Sequence, residues 1–252
     1  VLWGNFRKHK VNVAESKRER DLKMISSSSV QSLILESAQD VSKAISKCND
    51  IYLVSINGLA KLNAEDLRKS KKEVSRLGKE IDKLRNELFY FIQELEEENV
   101  KASHFYISLI SILEDMAQSL EYITKASYKH VNNNHRQLKY SQIKELKETQ
   151  ADLEGLLSDV RFAFDINGYE AFATFADKKE ELFANIDAKI NQQVQRTRSK
   201  EEKSPKNTTL FFGLMVETKG LIVATINLIE HYHLHYDPTV TPKKLGDEQK
   251  DK

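Results

Sequence analysis

The sequence is poor in residues that interrupt helices and in residues that form cross-links. Its 252 residues include 8 glycines, 3 prolines and one cysteine, Cys48. Few glycines and prolines favour long helices, because both residues destabilise a helix interior. A single cysteine excludes an internal disulfide and suits a reducing compartment. The formal net charge is only +1, so the overall charge does not indicate a nucleic-acid partner.

Common catalytic motifs are also missing. The sequence has no glycine-rich phosphate loop, no HExxH pair and no GxSxG elbow. Basic residues are interleaved with acidic ones, which argues against a nucleic-acid groove. We therefore predict a protein that has no catalytic residues, no cofactor and no nucleic-acid partner.

What the chain does contain is a series of apolar stripes at helical spacing. In residues 64 to 97 the stripe advances in steps of three and four. Its members are Val74, Leu77, Ile81, Leu84, Leu88, Phe91 and Leu95. Similar stripes predict further helices over residues 30 to 62, 103 to 130, 141 to 166, 169 to 198 and 208 to 237. No segment shows the alternation of apolar and polar residues that is typical of β-strands, so the predicted fold class is all-α.

Two helix starts are predicted from capping residues. Ser103 is expected to cap the third helix, and Thr208 or Thr209 the sixth, because their hydroxyls can accept a free backbone N–H. Residues 199 to 207 contain Pro205 and many charges, and are expected to form a solvated linker.

The middle of the chain reads HVNNNH, residues 130 to 135. Asparagine tolerates left-handed backbone angles and often ends helices. We predict that the third helix ends near His130 and that the segment crosses over to the second half of the chain. A contact with an anion or with another domain is the alternative. The residues concerned are His130, Asn132, Asn133, Asn134 and His135.

Three predicted helices precede this crossover and three follow it. The simplest packing is two antiparallel three-helix bundles, residues 25 to 131 and 141 to 237, joined by residues 132 to 140. A continuous helical array or a coiled-coil scaffold is the alternative. Residues 238 to 252 are expected to be a disordered tail.

The first 24 residues are basic, with seven Lys or Arg against three acids. Trp3 is followed by Arg7, Lys8 and Lys10, an order typical of the water-side exit of a membrane span. We predict a juxtamembrane segment here. A frayed basic terminus is the alternative.

Several side chains have the chemistry and spacing of metal ligands. Two carboxylates lie on one flank of the third helix, a third lies on the sixth, and two imidazoles lie one turn apart near its end. These residues are Glu114, Glu121, Glu217, His231 and His235. A solvated helix flank and an aromatic helix end are the simpler interpretations.

One face of the sixth predicted helix combines small and polar residues at steps of three and four. Its members are Gly213, Glu217, Gly220, Ala224, Asn227 and His231. Small residues predict a close crossing with another helix, and a polar site inside the second bundle is the alternative. Glu217 and Lys219 near the helix centre argue against a membrane span.

Residues 88 to 138 resemble the cytoplasmic PhoU-like region of some bacterial inorganic phosphate transporters. The segments FYFIQEL, LEDMAQSLEYI and HVNNNH carry the resemblance, which extends more weakly over residues 22 to 236. It implies two three-helix bundles and a regulatory role in phosphate transport. It also implies a place at the cytoplasmic face of the cell membrane, within an integral membrane protein whose membrane domain is the partner. A second copy of the chain, in a homo-oligomer, is another candidate partner, which the sequence does not determine.

Many proteins of this family bind iron or zinc through repeated Glu/Asp-x-x-x-Asp motifs. This sequence departs from that motif, because Gln118 follows Glu114 and Leu221 follows Glu217 at the matching positions. The resemblance therefore predicts the architecture and the transport context rather than the metal. A free-standing PhoU-like metal-binding regulator of phosphate signalling is the alternative function.

Overall fold

The computed structural model describes residues 30 to 93 and 100 to 239, and this part of the chain is helical without a strand. The helices are α1 Val30–Ala60, α2 Ala64–Gln93, α3 Val100–Asn132, α4 Tyr140–Ile166, α5 Phe172–Arg198 and α6 Pro205–His235. A 3-10 turn, Tyr169–Ala171, precedes α5. The predicted all-α class is confirmed. The predicted juxtamembrane residues Trp3, Arg7, Lys8 and Lys10 lie outside the described residues, as do positions 240 to 252 of the predicted tail.

The three helices before residue 133 and the three after residue 139 are two sets in chain order, and the contacts between these sets are as extensive as those within them. Helices α1, α2 and α3 contact one another, and so do α4, α5 and α6. Between the sets, α3 packs along α6 and α1 packs along α4. The Gln31 side chain donates to the His235 carbonyl at 2.6 Å, which places the start of α1 beside the end of α6. The result is a helical bundle with extensive contacts between its two halves.

The apolar stripes of the helices meet in one continuous core. The members of the predicted α2 stripe that are fully buried are Val74, Leu77, Ile81, Leu84 and Phe91. Leu88 is half-buried, and Leu95 lies outside the described residues. Cys48 is 1% exposed, and burial raises the pKa of its thiol to about 12. Periodicity thus located this part of the core correctly.

An aromatic cluster closes the end of the bundle where α6 finishes. The Tyr232 ring lies 5.3 Å from Phe105, 4.6 Å from Phe164 and 5.2 Å from Tyr169, between ring centroids. The Tyr232 hydroxyl is 2.6 Å from the Ser37 hydroxyl. These contacts join α1, α3, α4 and α6 through one side chain.

The predicted cap of α3 is wrong. The helix is already formed at Val100, and the Ser103 hydroxyl donates to the Val100 carbonyl at 2.6 Å. Ser103 is therefore a buried residue of the first turn and does not accept an N–H as a cap does.

The predicted start of α6 is also wrong. The helix begins at Pro205, and the Ser204 hydroxyl accepts the Asn207 N–H at 3.2 Å. Thr208 lies inside the helix, where its hydroxyl accepts from the Gln193 amide at 3.3 Å. The expected linker is consequently shorter, because its last residues belong to the helix.

Among the described residues, α6 alone is long and apolar enough, by length and composition, to cross a membrane. Its most apolar window is 56% buried inside the bundle. Core helices of soluble proteins satisfy the same criterion. Many apolar residues of α6 are buried in the bundle, but Val216 and Leu234 are exposed.

Candidate functional site

The HVNNNH segment ends α3 with a left-handed residue. Asn134 has a φ of 54°, and its N–H donates to the Val131 carbonyl at 3.0 Å. The N–H of His135 donates to the His130 carbonyl at 3.1 Å. Both bonds satisfy carbonyls that the helix end leaves free. The predicted helix end is confirmed, with Asn132 as the last helical residue.

The two histidines of this segment pack on each other. Their ring centroids are 5.3 Å apart, and Nε2 of His130 is 3.0 Å from the Arg136 carbonyl. Burial lowers the pKa of His130, and His135 acts in the same direction. His130 is therefore part of the helix-ending structure. A regulatory contact at this crossover stays a prediction.

The predicted metal-ligating side chains do not converge. Within residues 30 to 93 and 100 to 239, no group of three or more His, Cys, Asp or Glu is arranged to hold a metal ion. Glu114 accepts from Nε of Arg85 at 2.7 Å, and Glu121 pairs with Lys125 at 2.5 Å. Glu217 faces a different groove.

The imidazoles near the end of α6 bind backbone carbonyls. His231 is stacked on the Phe105 ring with centroids 4.5 Å apart, and its Nε2 donates to the Phe105 carbonyl at 2.9 Å. Nδ1 of His235 donates to the His231 carbonyl at 2.8 Å. Burial lowers the pKa of His231, and His235 lowers it further. His231 therefore joins α6 to α3, whereas the hydrogen bond of His235 stays within α6.

The predicted close crossing of α6 is confirmed, and its partner is α3. A Cβ on Gly213 would lie 2.9 Å from ring atoms of Tyr122, and a Cβ on Gly220 would lie 2.8 Å from Oγ of Ser119. A methyl group at either position would displace the Tyr122 ring or the Ser119 hydroxyl, so both glycines let these α3 side chains lie directly against α6.

Beside this crossing lies a cleft of about 520 Å³. We call it the α3–α6 cleft. In the described part of the chain its polar side chains have no hydrogen bond or ion pair with other side chains or backbone. These residues are Asp115, Gln118, Ser119, Tyr122, Glu217 and Asn227. The polar face of α6, whose alternative interpretation was a site inside the second set of helices, thus borders a cleft between the two sets.

The sequence predicts a close crossing on the α6 side of this cleft, but it favours a solvated flank on the α3 side. Asp115, Ser119 and Tyr122 recur at steps of four and three, the same signal that identified the face of α6. Spacing defines a face of one helix, but it does not say which other helix will cover that face.

A second groove, of about 360 Å³, lies between α2 and α3. Arg85, Lys79, Glu114 and Glu121 line it together, so its charges are mixed. Gln118 lines both grooves. The ion pair of Arg85 with Glu114 crosses this groove.

A buried ion pair joins α4 and α5. Nη1 and Nη2 of Arg196 each donate to one Glu145 oxygen at 2.7 Å, and the side chains are 11% and 10% exposed. These hydrogen bonds raise the pKa of Arg196. Nε of Arg196 donates to the Gln193 amide oxygen at 3.0 Å, which also accepts from Gln142 at 3.1 Å. The bidentate geometry fixes the register of the two helices.

Comparison of the chain with protein-family models, with curated proteins and with solved structures finds no match. Its function is therefore inferred from the residues and contacts described above.

Proposed function

We propose that the chain is a non-catalytic regulatory domain of an inorganic phosphate transporter, at the cytoplasmic face of the membrane. The proposal rests mainly on the succession of helices. Two sets of three are joined by residues 133 to 139, next to the segment whose resemblance to PhoU-like regions is most specific. The finer arrangement of two antiparallel three-helix bundles is part of the proposal.

Regulation would act through the contact of α3 with α6. These helices belong to different sets, and they approach closely at Gly213 and Gly220. Small sliding of packed helices is an established form of conformational switching. A displacement of one set relative to the other would change this contact and transmit the change to the membrane domain.

Cell fractionation with an antibody against this chain tests the attachment. We expect a membrane-bound band far above 29.1 kDa, the mass of the chain. A soluble band near 29.1 kDa would contradict the attached domain and favour a free-standing regulator.

Metal analysis of the purified chain and of the variants Glu114→Ala and Glu217→Ala would then decide whether that regulator binds iron or zinc.

A disulfide between α3 and α6 tests the mechanism. The Cβ of Ser119 lies 4.0 Å from the position of a Cβ on Gly220, within the range of disulfides. In the double variant Ser119→Cys, Gly220→Cys, oxidation should change phosphate uptake by intact cells, and a reductant should reverse the change. Each single variant is a matched control, and Cys48 is buried. Equal uptake by the oxidised and reduced double variant would refute regulation through this contact.

A further inference from the structure

We propose that the α3–α6 cleft binds a small organic cation with several N–H donors, of the polyamine or guanidinium class. This inference goes beyond the regulatory role proposed above and does not depend on it.

The charge of the cleft favours a cation. Asp115 and Glu217 both line it, and in the described residues neither carboxylate forms an ion pair. No lysine or arginine of the described chain lines the cleft. Two uncompensated carboxylates in a concave site attract positive charge, because the low-dielectric walls focus their field.

The lining of the cleft includes a mostly buried serine without a hydrogen-bond partner. Ser119 is 7% exposed, its hydroxyl has no hydrogen bond within the described structure, and the oxygen is not fully enclosed. A Cβ on Gly220 would lie 2.8 Å from Oγ of Ser119 and 3.9 Å from Oε2 of Glu217. Both oxygens therefore lie close to Gly220 in the lining of the cleft. An N–H donor bound in the cleft beside them would give the Ser119 hydroxyl a partner and form a charge-assisted hydrogen bond with Glu217.

The size of the cleft and its other lining residues favour an organic cation over a metal ion. A cleft of about 520 Å³ is far larger than a monatomic ion. The amides of Gln118 and Asn227 offer oxygens to further N–H groups, and the ring of Tyr122, 42% exposed, offers a cation–π contact. The described residues contain no group of three His, Cys, Asp or Glu that could hold a metal.

Isothermal titration calorimetry on the full chain tests the proposal with four probes. Spermidine and agmatine carry N–H donors, tetramethylammonium carries charge without them, and Mg²⁺ is a metal ion. We expect saturable binding of spermidine or agmatine, at least about tenfold tighter than tetramethylammonium. Absence of binding by both amines, equal binding of tetramethylammonium, or tighter binding of Mg²⁺ would overturn the proposal.

Single substitutions test whether the amine binds in the α3–α6 cleft. Glu217→Gln should weaken amine binding at least about tenfold, because it removes one charge, and Ser119→Ala about threefold. Glu121→Gln, which removes a charge from the other groove, is the matched control and should leave binding unchanged. If Glu217→Gln unfolds, Asp115→Asn provides the same test at an exposed position. Equal weakening by Glu121→Gln would show general surface attraction and refute the site. Failure of amine binding would leave the fractionation and uptake tests unaffected.

Discussion

Glu145 and Arg196 are buried together between α4 and α5. We expect Glu145→Ala to lower the free energy of unfolding by about 3–5 kcal/mol, because it leaves a buried guanidinium without its carboxylate. Urea denaturation at neutral pH measures the difference. The double variant Glu145→Leu, Arg196→Met should lose much less, since no buried charge remains.

An exposed ion pair is the control for this prediction. Glu121 and Lys125 pair on the surface of α3 with side chains 50% and 60% exposed. Glu121→Gln should change stability by about 0–1 kcal/mol. Equal losses for Glu145→Ala and Glu121→Gln would contradict the importance of burial.

Protonation of His231 should destabilise the fold. Burial lowers the pKa of His231 in the native protein, whereas in the unfolded chain it titrates near its ordinary value of about 6.5. Below that value the unfolded state binds more protons, so stability falls as the pH decreases. We expect the free energy of unfolding to drop as the pH falls below about 6.5, and His130 to add to the drop because burial lowers its pKa as well.

The variant His231→Gln isolates this contribution. Glutamine keeps a donor for the Phe105 carbonyl but does not titrate, so the pH dependence should become shallower. Urea denaturation midpoints of both proteins, measured at several pH values around 6.5 and below, give this pH dependence. An unchanged slope would show that other groups cause the pH dependence.

At the scale of single residues, the sequence predicts which positions are apolar better than it predicts buried polar partners. The apolar stripe of α2 is buried as expected. Glu145 and Arg196 are 51 positions apart, and no local pattern links them. Their pairing depends on how α4 and α5 pack, which spacing within either helix does not determine.

Among the helices, the start of α6 gives a direct test of capping. Ser204→Ala should lower stability by about 1 kcal/mol, because its hydroxyl accepts the Asn207 N–H. Thr209→Ala, at the position predicted from sequence, is the matched control and should be neutral or slightly stabilising, since alanine favours a helix interior. Thermal or urea unfolding distinguishes them, and a larger loss for Thr209→Ala would restore the original prediction.

The error at this helix has a specific cause. Serine followed by proline at the first helical position is a known start signal, and Ser204 and Pro205 provide it. The charged composition of residues 199 to 207 indicated a linker instead. The end of α3, by contrast, was predicted well, because Asn134 adopts the left-handed conformation that asparagine tolerates.

For the whole molecule, the crossing of α3 and α6 should be sensitive to small changes in volume. Gly213→Ala should stabilise the protein less than alanine does at an open helix position, because its Cβ would displace the outer end of the exposed Tyr122 ring. Gly78 in α2 is the matched control, since a Cβ there meets nothing within 4 Å. Gly78→Ala should raise stability by about 0.5–1 kcal/mol.

A second substitution would show that the ring causes the difference. Adding Tyr122→Ala to Gly213→Ala should recover part of the stability, and the coupling in a double-mutant cycle measures it. If Gly213→Ala is as stabilising as Gly78→Ala, the Tyr122 ring turns aside at no cost and does not restrict position 213.

The architecture was predictable at the level of helices and less so at the level of their assembly. Six helices and the close crossing on α6 follow from spacing and small residues. The identity of α3 as the partner, and hence the α3–α6 cleft, does not follow, because several helices carry faces that could have covered α6. The proposed function depends on how α3 and α6 pack. The residue spacing within α6 predicted its polar face, but it could not predict the α3–α6 cleft that this face borders.

The single thiol of this chain is a built-in reporter of how often the core opens. Cys48 is 1% exposed, and thiol reagents attack only an accessible thiolate. At mildly alkaline pH, its labelling rate in the native protein would therefore record opening of the helices around it. Adding spermidine, or closing the engineered disulfide, should slow that reaction if either holds α3 and α6 together. The same thiol would thus follow both proposals kinetically, without an attached probe.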